Sequence, residues 1–163
     1  MTAGEKLIPD WLKRKQEIVE LEEAQREAGA QGRLAAGLLI ERQRPKFWQQ
    51  LVEKLKIAID ALPEVPALKL AGSLSTFGSA QVRLDMRRTG IWANTTYTDL
   101  FCDEWRIRCT TLGDGAYNLE FCTIGNTEIA VVDDRSPGTP MDADYASQYI
   151  MGRMVNLLER QHR

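Results

Sequence analysis

Between Leu62 and Leu68 the apolar pattern changes from a helical to an alternating period, and this limits the chain to a mixed fold. On the N-terminal side, Trp48, Leu51, Val52, Leu55, Ile59 and Leu62 follow the 3, 4 spacing of an amphipathic helix, while Lys54, Lys56 and Asp60 fall elsewhere around it. Pro63 and Pro66 end that helix, because the residue before a proline is driven out of the helical region.

Beyond them, Val82, Leu84 and Met86 alternate with Arg83, Asp85 and Arg87. Trp105, Ile107 and Cys109 alternate with Arg106, Arg108 and Thr110, and Tyr117, Leu119 and Phe121 alternate with Asn118, Glu120 and Cys122. Period two with one apolar face marks half-buried strands. Gly113-Asp114-Gly115 and Gly125-Asn126 suit tight hairpin turns. The pattern predicts strands near 68–75, 80–88, 91–98, 105–112, 116–124 and 127–132, paired as an antiparallel meander by their short connections. Thr139 as cap, Pro140 at the first position and Asp142 near the free amides predict a last helix running to about Arg160. Its stripe is Tyr145, Tyr149, Ile150, Met154, Leu157 and Leu158. The fold class is therefore α+β: N-terminal helices, then a meander of about five to six strands covered by the amphipathic helices 46–62 and the C-terminal one.

The N-terminal region is surplus to that body. Pro9 and Asp10 suit a helix start, and residues to Ala28 are rich in helix formers. Trp11, Ile18, Leu21 and Ala28 trace a short heptad stripe interrupted by Arg14 and Gln25. Gly29 and Gly32 are expected to weaken or break the helix. A second stretch, Arg33 to Arg44, carries Leu34, Leu38 and Leu39, and Pro45 kinks it or opens the next helix. This divides the chain into residues 1–44, a helical arm or hairpin, and 45–163, an α+β sandwich domain.

The 163 residues are 44% hydrophobic and 27% charged, which is ordinary globular composition. The longest strongly apolar stretch, Leu34 to Ile40, is far short of the roughly 20 residues that a bilayer span needs. Lys13-Arg14-Lys15 lies where a secretory signal would be apolar. Cys102, Cys109 and Cys122 are odd in number and lack metal-ligand spacing, as expected of reduced thiols in a cytoplasmic protein.

Net charge is −2. Residues 1–62 carry 11 basic and 10 acidic side chains, for +1; residues 63–163 carry 10 and 13, for −3. Neither part has the positive field of a non-specific nucleic-acid binder. The one histidine, His162, is next to the last residue, so histidine-based acid/base or triad chemistry is not expected. Glycine-rich phosphate loops and the nucleophile elbow are absent from the sequence, and no cofactor is implied.

Three readings follow. The first is a non-catalytic assembly or adaptor module that self-associates or docks a protein partner through Trp11, Ile18, Leu21, Leu34, Leu38 and Leu39. The second places a small ligand or an anionic partner, such as single-stranded RNA, on the outward sheet face bearing Arg83, Arg87, Arg106 and Arg108, with Trp92 beside them. Asp85 and Glu120 share that face and oppose it. The third is a carboxylate or metal-dependent enzyme using Asp133 and Asp134, near Asp142 and Asp144. Trp48, Trp105, Tyr117 and Phe121 are expected between helix and sheet, as core or as the lining of a cavity.

Overall fold

Helix formers dominate the first sixty residues so strongly that one helix, α1 (Asp10–Asp60), runs through all of the expected breaks. The computed structural model describes residues 7–90 and 94–162. Gly29, Gly32 and Pro45 all lie inside α1, so the expected interruption and hairpin do not occur. Each glycine costs a helix about 1 kcal/mol relative to alanine, and the surrounding Ala, Leu, Gln, Glu and Arg residues outweigh that. Pro45 gives up one backbone hydrogen bond, and buried Phe47, Trp48 and Leu51 follow it directly.

Two 3-10 turns, Leu62–Glu64 and Pro66–Leu68, each with a proline near its start, connect α1 to the sheet. Six strands follow: β1 (Leu70–Thr76), β2 (Gln81–Arg88), β3 (Thr95–Cys102), β4 (Arg106–Thr111), β5 (Gly115–Ile124) and β6 (Glu128–Asp133). They pair antiparallel in chain order, β1 to β6, as expected for a meander. Gly113 and Gly115 take positive φ in the β4–β5 turn. One face carries Leu70, Leu74, Val82, Leu84, Met86, Leu100, Ile107, Cys109, Tyr117, Leu119, Phe121, Ile129 and Val131 into the core.

β3 departs from its expected range of 91–98. Its inward positions are Thr96, Thr98 and Leu100, so two of its three buried side chains are polar. Thr98 and Thr111 share a hydroxyl hydrogen bond of 2.8 Å, and the Thr96 hydroxyl donates to the Leu112 carbonyl at 2.8 Å. These bonds make burial tolerable and erase the apolar alternation. Trp105 lies just outside β4 and is exposed, not inward as expected. The Asp103 carboxylate accepts the N–H groups of Trp105 and Arg106, both at 2.9 Å, turning the chain before the strand begins.

The last helix, α2 (Ala143–His162), starts later than the Thr139-Pro140 signal suggested. Met141 is held back by a backbone bridge to Val131. Asp142 is the cap: its carboxylate accepts the Tyr145 N–H at 2.7 Å. Ala146, Ile150, Met154 and Leu158 face inward, while Tyr145 is exposed. They share one core with Leu39, Ile40, Phe47, Trp48, Leu51, Leu55 and Ile59 of α1 and with the inward sheet face. The protein is thus α+β, with α2 and the later part of α1 covering one face of the antiparallel sheet.

Contacts divide the chain into two units, Met1–Leu38 and Leu39–Arg163. Leu39 and Ile40, the first residues of the second unit, are buried in its core. No helix among the described residues is long and apolar enough to cross a membrane.

Candidate interaction surfaces

In the first unit, α1 presents the adjacent pair Trp11 and Leu12 and, two turns on, Ile18 and Val19, on one side of the helix. All four are exposed, as are Leu21, Leu34 and Leu38, and no residue from 7 to 38 is buried. Trp11 and Leu34 each keep 67% of their surface. Of the six residues expected at an interface, five are therefore available. Leu39 is not, because it belongs to the core.

The second unit carries a groove of about 680 Å³ between α1 and one end of the sheet. Pro45, Trp48, Val52, Ala80, Val82 and Cys102 line it, with Arg44, Glu53, Asp103 and Glu104 among its polar groups. Two hydrogen bonds fix its walls. The Trp48 indole donates to the Ser79 carbonyl at 2.9 Å, and the Arg44 guanidinium donates to the Glu104 carbonyl at 2.9 Å. Asp103 is occupied by its turn and by Arg108 at 3.1 Å. Its pKa is lowered: burial pushes it up, but the two backbone N–H groups and Arg108 outweigh that. Glu53 and Glu104 are exposed and form no ion pair among the described residues. Of the four aromatics expected around a cavity, only Trp48 lines this groove. Tyr117 is core, and Phe121 packs edge-on to Phe47 with ring centroids 5.6 Å apart. Arg44 and Glu53 belong to α1 and Glu104 to the β3–β4 connection, far apart in sequence, so the sequence carried no signal for the groove.

The arginine face is largely self-satisfied. Arg83 forms a two-point pair with Asp99, at 2.7 and 2.9 Å, and lies over the Tyr97 ring at 4.2 Å. Its pKa is raised, chiefly by that hydrogen bond. Arg108 pairs with Asp103, and Arg106 stands opposite Glu120 across β4 and β5. Arg87 is exposed, and Trp92 lies outside the described residues.

Asp133 and Asp134 are not brought together. Asp133, the last residue of β6, is buried, while Asp134, in the turn that follows, is exposed. Asp134 accepts from the Asn118 side chain at 3.0 Å. Asp133 anchors a polar cluster inside the fold: it accepts the Tyr149 hydroxyl and the Arg135 N–H, and lies 3.6 Å from Arg153. Arg153 donates to the Tyr149 oxygen at 3.1 Å and to Asp114 at 3.0 Å, and its guanidinium sits 4.1 Å from the Tyr117 ring centre. Burial first, and the bond to Asp133 second, push the Tyr149 hydroxyl up. Tyr149 is on the apolar stripe expected of the last helix, but its hydroxyl belongs to this cluster, and Arg153 has no part in the expected sites. Their four-residue spacing was the one visible trace of the pair. Among the described residues, no three His, Cys, Asp or Glu side chains gather as a metal site.

All three cysteines are free. Burial pushes the Cys102 thiol up to about 11, against a downward pull from Arg44, and the Cys109 thiol up to about 12. Since the thiolate is the reactive form, alkylation of native protein near neutral pH should be roughly 100-fold slower at Cys102, and roughly 1000-fold slower at Cys109, than at a free thiol. Peptide mass mapping after timed iodoacetamide exposure reads this directly. Fast labelling of Cys109 without unfolding would contradict the packing described.

Comparison with protein families, curated proteins and solved structures finds no match for this chain.

Proposed function

We propose that this protein is a non-catalytic assembly module whose N-terminal helical segment, residues 10–38, docks against protein, in the first instance a second copy of the same chain. The observation that carries the reading is the exposure of Trp11, Leu12, Ile18, Val19, Leu21, Leu34 and Leu38 on a segment with no buried residue. Helices in water gain most of their stability from packing an apolar face, and this segment has the face without a cover. Large exposed apolar patches on soluble chains mark interaction sites, with tryptophan prominent among the residues that dominate binding.

Light scattering after size exclusion tests this. The wild-type chain is expected at twice its 18.4 kDa mass or more. A variant carrying Trp11→Glu, Ile18→Glu and Leu21→Glu is expected at monomer mass with its melting transition kept. A wild-type chain that stays monomeric at every concentration overturns the self-docking reading.

A further inference from the structure

We infer that the surface receiving the N-terminal helix is the groove at Trp48, and that it takes Trp11 and Leu12 from a second copy. This rests on the assembly reading above and names its acceptor. The groove is within the 300–1,000 Å³ range of ligand pockets, large enough for an indole and a leucine side chain together. Its walls of Pro45, Trp48, Val52, Ala80 and Val82 are apolar, as a tryptophan anchor requires.

Charge selects the occupant. Besides Arg44, whose guanidinium is held by the Glu104 carbonyl, the groove's ionisable groups are acidic: Glu53, Glu104 and the already paired Asp103. A ligand with an apolar body flanked by cations complements it. Residues 11–15 read Trp-Leu-Lys-Arg-Lys. On α1, Arg14 and Lys15 stand three and four residues after Trp11, hence beside it on the same side. Neither forms an ion pair among the described residues. Glu53 and Glu104 of the groove supply the counter-charges that Arg14 and Lys15 lack. The contact joins different patches on two copies, so it closes as a reciprocal dimer or continues as an open chain.

A charge swap in the full-length protein tests the assignment. Glu53→Lys with Glu104→Lys alters two exposed carboxylates without ion-pair partners, so folding should be untouched and a melting curve checks it. This pair is expected to weaken self-association about tenfold or more at low salt, as is Arg14→Glu with Lys15→Glu. All four changes in one chain are expected to restore it. If the groove pair leaves the association constant unchanged while the Trp11, Ile18, Leu21 variant dissociates, the helix docks elsewhere and this inference falls with the assembly reading intact. If both charge pairs weaken association but the combined chain does not recover, the partnership of these residues is refuted. A monomeric wild type removes both readings together.

Discussion

Gly72→Ala is expected to destabilise the protein by at least about 3 kcal/mol, a loss at the upper end for overpacking. Gly72 lies in β1 opposite Met86, where α1 crosses the sheet. A methyl group there would press on the backbone carbonyl of Asp85 and come within 2.8 and 2.9 Å of the Ile59 side chain. The carbonyl is held by the sheet and cannot step aside, and Ile59 is wholly buried. At roughly 2–4 °C per kcal/mol for a chain of this size, the melting temperature should fall by about 6–12 °C. The same substitution at Gly32 should act in the opposite direction. Nothing lies within 4 Å of that position, and alanine favours a helix over glycine by about 1 kcal/mol. Thermal denaturation with far-UV circular dichroism distinguishes the two. A neutral Gly72→Ala would mean that α1 does not pack this closely on β1.

Asp133→Ala should cost about 3–5 kcal/mol, the range for removing one partner of a buried charge pair. It strips the Tyr149 hydroxyl and the Arg135 N–H of their acceptor and leaves Arg153 with Asp114 as its remaining carboxylate partner. Asp133→Asn keeps the shape and the acceptor oxygen and should cost less. Asp134→Ala, which loses an exposed bond to Asn118, should stay within about 1 kcal/mol of wild type. Chemical denaturation of the three variants orders them. Equal losses at Asp133 and Asp134 would contradict the inward and outward assignment of the two side chains.

What could be read from the sequence was whatever depends on apolar periodicity. The amphipathic run from Trp48 to Leu62, the alternation in β2, β4 and β5 and the glycine turns placed two helices and a meander correctly. Features set by side-chain hydrogen bonds were misread. β3 buries threonines that look like surface residues until Thr111 and the Leu112 carbonyl are brought to them. Trp105 is turned outward by Asp103, and α2 is started by Asp142 after Met141 has been taken by Val131. Gly29, Gly32 and Pro45 are helix breakers singly, whereas helix formation depends on the sum over a long window. The exposed stripe of Trp11, Ile18 and Leu21 was legible because it is local. The groove was not, because Glu104 joins Arg44 and Glu53 only after the sheet has formed.

The strand order has a kinetic consequence. Each strand pairs only with its neighbours in sequence, so the sheet can zip up hairpin by hairpin with little loop-closure entropy to overcome at any step. The core is different, since its second cover, α2, lies at 143–162. During synthesis the meander therefore exists for a time with Leu100, Ile107 and Leu119 shielded by α1 alone. Truncation before Ala143 would prolong that interval indefinitely, leaving an adhesive sheet face of the kind that drives nascent chains to aggregate.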